Sequence, residues 1–131
     1  MSRKPETTFS RRIRDLKKLN KSYYFQAIET TTSRGVADLF TVIKGRSYWL
    51  EIKVNHGKKV SKNIGLSKYQ IAWQLVLIKH GGHCFNLLLV PTQRVAKTYR
   101  IEPSGLRELA TYPDTEAGLC TALEDLAGLV E

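Results

Sequence analysis

Cysteine and long apolar runs are scarce in this chain of 131 residues, and each scarcity excludes a class of protein. The two cysteines, Cys84 and Cys120, are too few for a disulfide framework, and neither lies in a zinc-type spacing. No apolar stretch approaches the roughly 20 residues that a membrane-spanning helix needs. Residues 1–12 contain no apolar segment of the kind that a signal peptide has. We therefore expect a reduced, intracellular protein.

Acidic residues are also scarce in the first half of the chain, which makes the charge one-sided. Residues 1–70 contain 16 lysines and arginines against 5 aspartates and glutamates, whereas residues 71–131 contain 5 against 7. A positive field confined to one part of a chain fits a polyanionic partner such as nucleic acid. The simpler alternative is a basic surface that keeps the protein soluble. An anionic membrane is a weaker fit, because the basic segments carry no aromatic stripe.

The hydrophobic periodicity predicts three helices and four strands in a chain whose length, residues 1–131, suits one domain. The predicted elements are a helix over 5–20, strands over 23–30, 36–43 and 47–54, a helix over 67–80, a strand over 84–90 and a helix from Asp114 onward. This order predicts an α/β fold in which helices flank a mixed central sheet. Apolar residues cover most of the circumference of the helix over 67–80, so we expect that helix to be largely buried.

Three charged residues interrupt the two most strand-like segments: Asp38 in one, Glu51 and Lys53 in the next. A hairpin that turns at Lys44-Gly45 pairs residues whose numbers add up to 89. Asp38 then faces Glu51 directly, and Lys53 projects from the same side of the sheet. An odd loop or a bulge would shift this pairing.

Two carboxylates held this close repel each other unless a cation lies between them. Lys53 supplies part of that charge, and a divalent cation would supply it better. A metal ion in this position can stabilise a phosphoryl transition state, while the neighbouring ammonium orients or deprotonates the attacking water. The pattern therefore predicts a phosphodiesterase site. The alternative is an edge strand with solvated Glu51 and Lys53, which the apolar neighbours Trp49 and Ile52 disfavour.

The segments GVADLF and YWLEIKV, with a Glu-bearing helix before them and LSKYQ opening a helix after them, resemble the PD-(D/E)xK nuclease superfamily. Within it, the chain is similar to VRR-NUC proteins and to phage and archaeal Holliday junction resolvase-like endonucleases. The resemblance covers about residues 5–90 and implies a restriction-endonuclease-like core, followed by a C-terminal helical extension over about 92–131. Ala37 stands where the superfamily name has proline, a departure that removes no chemical group.

The resemblance implies a Mg²⁺ cofactor, with Mn²⁺ able to substitute, and a specific set of site residues. The implied metal ligands are Asp38, Glu51 and the carbonyl of Ile52, and the implied catalytic residues are Asp38, Glu51, Lys53, Glu6 and Gln70. Glu6 has an alternative role, in which its charge complements the N-terminus of the first helix. Gln70 also has one, because Ser67 and Gln70 form the spacing of a capping box.

The remaining expectations concern partners. We expect phosphate contacts from Arg34, Lys58, Lys59 and Lys62. Tyr69 and Trp73 are expected to be core or dimer contacts rather than base-stacking platforms. The resemblance and the size of the chain imply a homodimer, because one small site cuts one strand and paired cuts across a junction need two.

The sequence as a whole leads to one functional hypothesis and two alternatives. The leading hypothesis is a metal-dependent endonuclease for branched or Holliday junction DNA, acting in the cytoplasm of a bacterial, archaeal or phage-infected cell. The first alternative is a flap, nicking or restriction-like nuclease with lower structure selectivity. The second is a catalytically silent nucleic-acid-binding module, which the basic half of the chain supports equally.

Overall fold

A six-stranded mixed sheet forms the centre of the fold in a computed structural model that describes residues 4–29 and 34–131. The helices are α1 (Lys4–Asp15), α2 (Lys68–Lys79) and α3 (Glu116–Gly128). The strands are β1 (Tyr24–Ala27), β2 (Leu39–Ile43), β3 (Arg46–Val54), β4 (Cys84–Val90), β5 (Val95–Glu102) and β6 (Gly105–Pro113). Short 3-10 turns follow α1 and β4, at Leu16–Lys18 and Pro91–Gln93.

The strands lie side by side in chain order, and β3 with β4 is the parallel pair within an otherwise antiparallel arrangement. Parallel neighbours need a crossover, and the connection that contains α2 provides it. None of the helices in the described ranges is long and apolar enough to span a lipid bilayer.

The hairpin between β2 and β3 confirms the predicted register. Its two-residue loop, Lys44-Gly45, has φ angles of 53° and 76°, the pair of positive values that a type I′ turn requires. Leu39 pairs with Leu50, and Ile43 pairs with Arg46. Because Asp38 immediately precedes β2, the same register continues to place it beside Glu51.

Two layers of apolar side chains cover the sheet. The larger core lies between the sheet and helices α1 and α3, and the smaller core lies on the α2 side. Strand alternation sends Leu50 and Ile52 into the larger core, so Glu51 and Lys53 project from the opposite face. Strand β4 is buried along its whole length, which fixes β3 as an interior strand.

The remaining helices and strands are of the predicted type, but some of them are shorter than predicted. The first helix ends at Asp15 before its 3-10 turn, and the strand predicted over 23–30 is the shorter β1. The end of that prediction, Thr30, lies outside the described residues. The helix predicted from Asp114 onward is confirmed as α3.

Two expectations about the fold are wrong. Residues 92–131 are not a purely helical extension, because β5 and β6 continue the central sheet before α3 begins. Helix α2 is not largely buried: Gln74 is its one fully buried residue, and Val76 is 58% exposed. The sheet covers one side of α2, and no other described element covers the outer side of the helix where Val76 lies.

Candidate active site

A cavity of about 820 Å³ lies where α1, the segment before β2, strand β3 and the first turn of α2 meet. The predicted site residues that line it are Glu6, Arg34, Asp38, Glu51, Lys53 and Gln70. The fold therefore gathers side chains from four separate parts of the chain around one space. Its volume is at the upper end of the range of small-molecule pockets, so the space suits an extended ligand.

Glu51 is the most buried acid of this cavity, with 2% of its surface exposed. Its Oε2 accepts a 2.8 Å hydrogen bond from Gln70 Nε2 and lies 3.8 Å from Lys53 Nζ. Its Oε1 is buried and has no hydrogen-bond partner among the described residues. Burial, reinforced by the charge of Asp38, raises the pKa of Glu51 to about 9, and Lys53 offsets only part of this rise. Among the residues that the structure describes, the positive charge near the ionised carboxylate is therefore not sufficient to compensate for its burial.

Asp38 is tied to the strand that carries Glu51. Its Oδ2 accepts a 2.8 Å hydrogen bond from the backbone N–H of Ile52. Its carbonyl accepts another, also 2.8 Å, from the N–H of Ile28 just beyond β1. The charge of Asp38 contributes to the raised pKa of Glu51, and the β2–β3 register places the two residues side by side, which confirms their predicted juxtaposition.

Ile52 contributes to the site through its backbone alone, since its side chain is fully buried in the larger core. The N–H that orients Asp38 is a contact that the sequence did not predict. The role of the Ile52 carbonyl as a metal ligand stays a prediction.

Gln70 caps α2 and also contacts Glu51, while its catalytic role stays a prediction. Its Oε1 accepts a hydrogen bond from Ser67 N at 2.9 Å, and its own N–H donates to Ser67 Oγ at 3.1 Å. This capping box fixes the amide so that Nε2 is free to donate to Glu51. The helix cap therefore positions the carboxylate.

Gly35 packs the segment before Asp38 against the first turn of α2. It has a φ of +85°, and a Cβ at this position would lie 2.2 Å from the carbonyl oxygen of Tyr69 and 2.9 Å from Gln70 N. Both the backbone angle and the close approach require glycine. This contact holds the segment that leads to Asp38 against the turn that carries Gln70.

Two residues of the cavity were missed or misplaced by sequence reasoning. Arg14 lines the wall formed by α1, at four-residue spacing from Ser10 and Glu6, so a polar stripe beside the apolar face was the available signal. Tyr69 was expected to be a core or dimer contact; it is 43% exposed at the cavity, so it is not a core residue, and the dimer contact stays a prediction. The guanidinium of Arg34 lies 4.9 Å from the centre of its ring.

The predicted phosphate-binding residues separate into two groups. Arg34 lines the cavity, whereas Lys58, Lys59 and Lys62 are exposed on the connection between β3 and α2 and are not part of the lining. A phosphate contact from these three lysines stays a prediction and would have to occur outside the cavity.

The residues present fit a Mg²⁺ ion coordinated by few protein ligands. In the ranges 4–29 and 34–131, no group of three or more His, Cys, Asp or Glu side chains is arranged to hold a metal. Glu6 thus lines the cavity without completing such a group. The carboxylates of Asp38 and Glu51, together with the Ile52 carbonyl that the family resemblance implies, would form an all-oxygen donor set, which suits an ion that keeps several waters. The unpartnered, buried Glu51 Oε1 is the atom that calls for another cation.

Neither a comparison with protein-family models nor one with curated proteins finds a match to this chain. The function is therefore inferred from the cavity and its residues.

Proposed function

We propose that the chain is a Mg²⁺-dependent endodeoxyribonuclease that hydrolyses phosphodiester bonds in branched DNA, Holliday junctions included. The observation that carries the proposal is the buried, incompletely compensated Glu51 beside Asp38 and Lys53. The preference for junctions, the cytoplasmic location and a homodimeric assembly follow from the family resemblance of the motif.

The side chains have separate tasks in this proposal. Asp38 and Glu51, with the Ile52 carbonyl, would hold the Mg²⁺ ion. The bound ion supplies a Lewis acid for the phosphoryl group and lowers the pKa of a coordinated water. The Ile52 N–H orients Asp38, and Gln70 orients Glu51. Glu6 supports the acidic side of the cavity from α1.

Lys53 is suited to act on the scissile phosphate or the attacking water. Its side chain is only 12% exposed, and its ammonium lies 3.8 Å from Glu51 Oε2. An ammonium held in a desolvated site stabilises developing negative charge more strongly than one in water. It can also hold or release the proton of a water that lies beside it.

A binding module without catalysis is the second candidate, favoured by the basic first half of the chain. Phosphate neutralisation needs no acids, and two carboxylates in a groove that only binds phosphate would weaken it. The acidic pair is therefore the feature that favours the nuclease over the module.

The test is cleavage of a panel of four-way junction, flap, duplex and single-stranded DNA at matched salt, with Mg²⁺, Mn²⁺ or a chelator. We expect the wild type to cut the junction fastest and only with metal, and Lys53→Ala to lose cleavage while retaining DNA binding. Lys97→Ala, on β5 and outside the cavity, is the control and should cut normally. Equal rates on all substrates would refute junction preference, and salt-sensitive binding without any cleavage would establish the binding module.

A further inference from the structure

Arg14 is a charged residue of the cavity whose charge is not explained by the fold. It lies on α1 and is partly buried, and its Nε is inaccessible to solvent and has no hydrogen-bond partner in the described part of the chain. Leaving a buried guanidinium N–H unpaired is costly, so such a group normally has a partner. Because Arg14 lines the cavity, a ligand in the cavity can bind its guanidinium.

The acids of the cavity do not serve as that partner. Among the described residues, no carboxylate oxygen lies within 4.0 Å of Arg14, although Glu6 and Asp38 line the same cavity. By contrast, the neighbouring Arg12 is paired with Asp114 at 2.6 Å. The guanidinium of Arg14 is thus available to an anion that enters from outside.

A second arginine lines the same cavity from another part of the chain. Arg34 comes from the segment before β2, and its guanidinium lies over the ring of Tyr69 on α2. Arg34 likewise makes no salt bridge to any described acid. The acidic pair and Lys53 therefore share the cavity with two arginines that make no salt bridge within the described residues, Arg14 on α1 and Arg34 in the segment before β2.

We propose that Arg14 binds the phosphate adjacent to the scissile one, on the α1 side of the cavity, and that Arg34 binds the neighbouring phosphate on the other side. This rests on the proposed function, because the scissile phosphate is placed at Asp38, Glu51 and Lys53. A planar guanidinium presents paired donors that match phosphate oxygens. The substrate is then an internal phosphodiester of a longer strand, with a phosphate on each side of the bond that is cut. A dinucleotide with a single phosphodiester lacks both contacts and is a poor substrate.

The experiment compares wild type with Arg14→Gln and Arg14→Lys on a set of oligonucleotides, each with one phosphate replaced by an uncharged methylphosphonate. Arg11→Gln is the matched control, because Arg11 is on the same helix but is exposed and outside the cavity lining. Binding is measured by fluorescence anisotropy at several salt concentrations, and thermal unfolding verifies that each variant is folded.

We expect one methylphosphonate position to weaken wild-type binding about tenfold while leaving Arg14→Gln unaffected, since both changes remove the same contact. Arg14→Gln should lower the slope of log affinity against log salt by about 0.7–0.9, the value of one phosphate contact. Arg14→Lys keeps the charge, so its methylphosphonate sensitivity and its salt slope should lie between those of the wild type and Arg14→Gln. Arg11→Gln should remain as sensitive to that methylphosphonate as the wild type.

The proposal is overturned if folded Arg14→Gln responds to every methylphosphonate as the wild type does. A purely structural role of Arg14 gives that result, with a lower melting temperature and no position-specific change. The readout is binding, so it stays informative if the wild type cuts nothing; in that case the nuclease proposal fails while the phosphate contact of Arg14 is still decided. A wild type that binds no DNA overturns both.

Discussion

Two pairs of an acidic and a basic residue, each two residues apart in sequence, lie in different parts of the sheet. They differ in how far the acid is exposed to solvent and in how many basic side chains contact it. Glu51 and Lys53 are two residues apart on β3, and Arg100 and Glu102 are two residues apart on β5. The side chain of Glu102 is 29% exposed and is paired with Arg100 at 3.4 Å and with Arg107 at 3.3 Å. That of Glu51 is 2% exposed, has one lysine at 3.8 Å and retains an unpartnered oxygen.

The difference shows that sequence spacing alone does not distinguish a functional charge from a surface ion pair. Exposed pairs contribute about 0–1 kcal/mol and tolerate substitution. An ionised acid buried without sufficient compensating charge is unfavourable, and in the proposed function a bound cation compensates for it.

Substitutions at the cavity should change the cleavage rate most, and this change distinguishes the Glu51–Lys53 pair from the Arg100–Glu102 pair most clearly. Asp38→Asn should reduce kcat on the order of a thousandfold, because it removes charge at the reacting phosphate. Glu102→Gln should leave kcat unchanged and shift stability by less than about 1 kcal/mol. Single-turnover cleavage measures the rate, and urea unfolding measures the stability of each variant. Equal activity of the two variants would remove the distinction between the pairs.

The next largest effect is on stability, and it concerns Gly35, which packs the segment before Asp38 against the first turn of α2. Gly35→Ala should cost about 3 kcal/mol or more, since it combines an unfavourable φ with a Cβ placed 2.2 Å from the Tyr69 carbonyl oxygen. Gly81→Ala is the matched control: the φ of Gly81, +87°, is within 2° of that of Gly35, but no atom lies within 4 Å of a Cβ placed there. It should cost about 1–2 kcal/mol. Urea unfolding of both variants gives the comparison, and equal losses would mean that the contact at Gly35 is unimportant.

The third effect is a pH dependence confined to the buried pair. The pKa of Glu51 is about 9 in the folded protein against an ordinary value of 4.5, so the folded state binds the extra proton between these values. In the presence of a chelator, stability should therefore fall as pH rises from about 4.5 to 9. Glu51→Gln should remove this loss and be more stable than the wild type at pH 8, by on the order of 2 kcal/mol.

The control for this pH dependence is Glu102→Gln, whose free energy of unfolding should change with pH as that of the wild type does. Chemical denaturation at pH 5, 7 and 8.5 measures the free energy of unfolding of each variant. Addition of Mg²⁺ at pH 8 should stabilise the wild type but not Glu51→Gln. Parallel profiles for wild type and Glu51→Gln would contradict the burial of an ionisable acid.

The smallest effect isolates the helix cap. Gln70→Ala should lower kcat about tenfold, because the carboxylate of Glu51 loses its orienting donor. It should also cost about 1 kcal/mol of stability. Ser67→Ala removes the cap without removing the Glu51 contact, so it should lose similar stability with less loss of kcat. If both variants lose the same activity, Gln70 acts only as a cap.

The cavity end of the sheet was largely predictable from local rules. The Lys44-Gly45 turn sets the hairpin register, and the register places Asp38 beside Glu51. Ser67 begins the helix that brings Gln70 to the site. These are interactions between residues close in sequence, which patterns and turn chemistry describe well.

The opposite end was not predictable by the same rules. The β5–β6 register shifts between Thr98 and Tyr99, which pair with Ala110 and Glu108 and leave Leu109 of β6 as the extra residue. Thr98 and Tyr99 are both buried, so β5 does not show a simple two-residue alternation of buried and exposed positions. Strand β6 is mostly exposed and shows no clean apolar face. The unpaired state of Arg14 depends on the assembled cavity, which no local pattern encodes.

The central claim is that Asp38 and Glu51 together bind a divalent cation. Its most direct test is a calorimetric titration of wild type, Asp38→Asn and Glu102→Gln with Mn²⁺ in the absence of DNA. We expect saturable binding to the wild type and to Glu102→Gln, and loss of this binding in Asp38→Asn. Identical binding curves for the wild type and folded Asp38→Asn would contradict it.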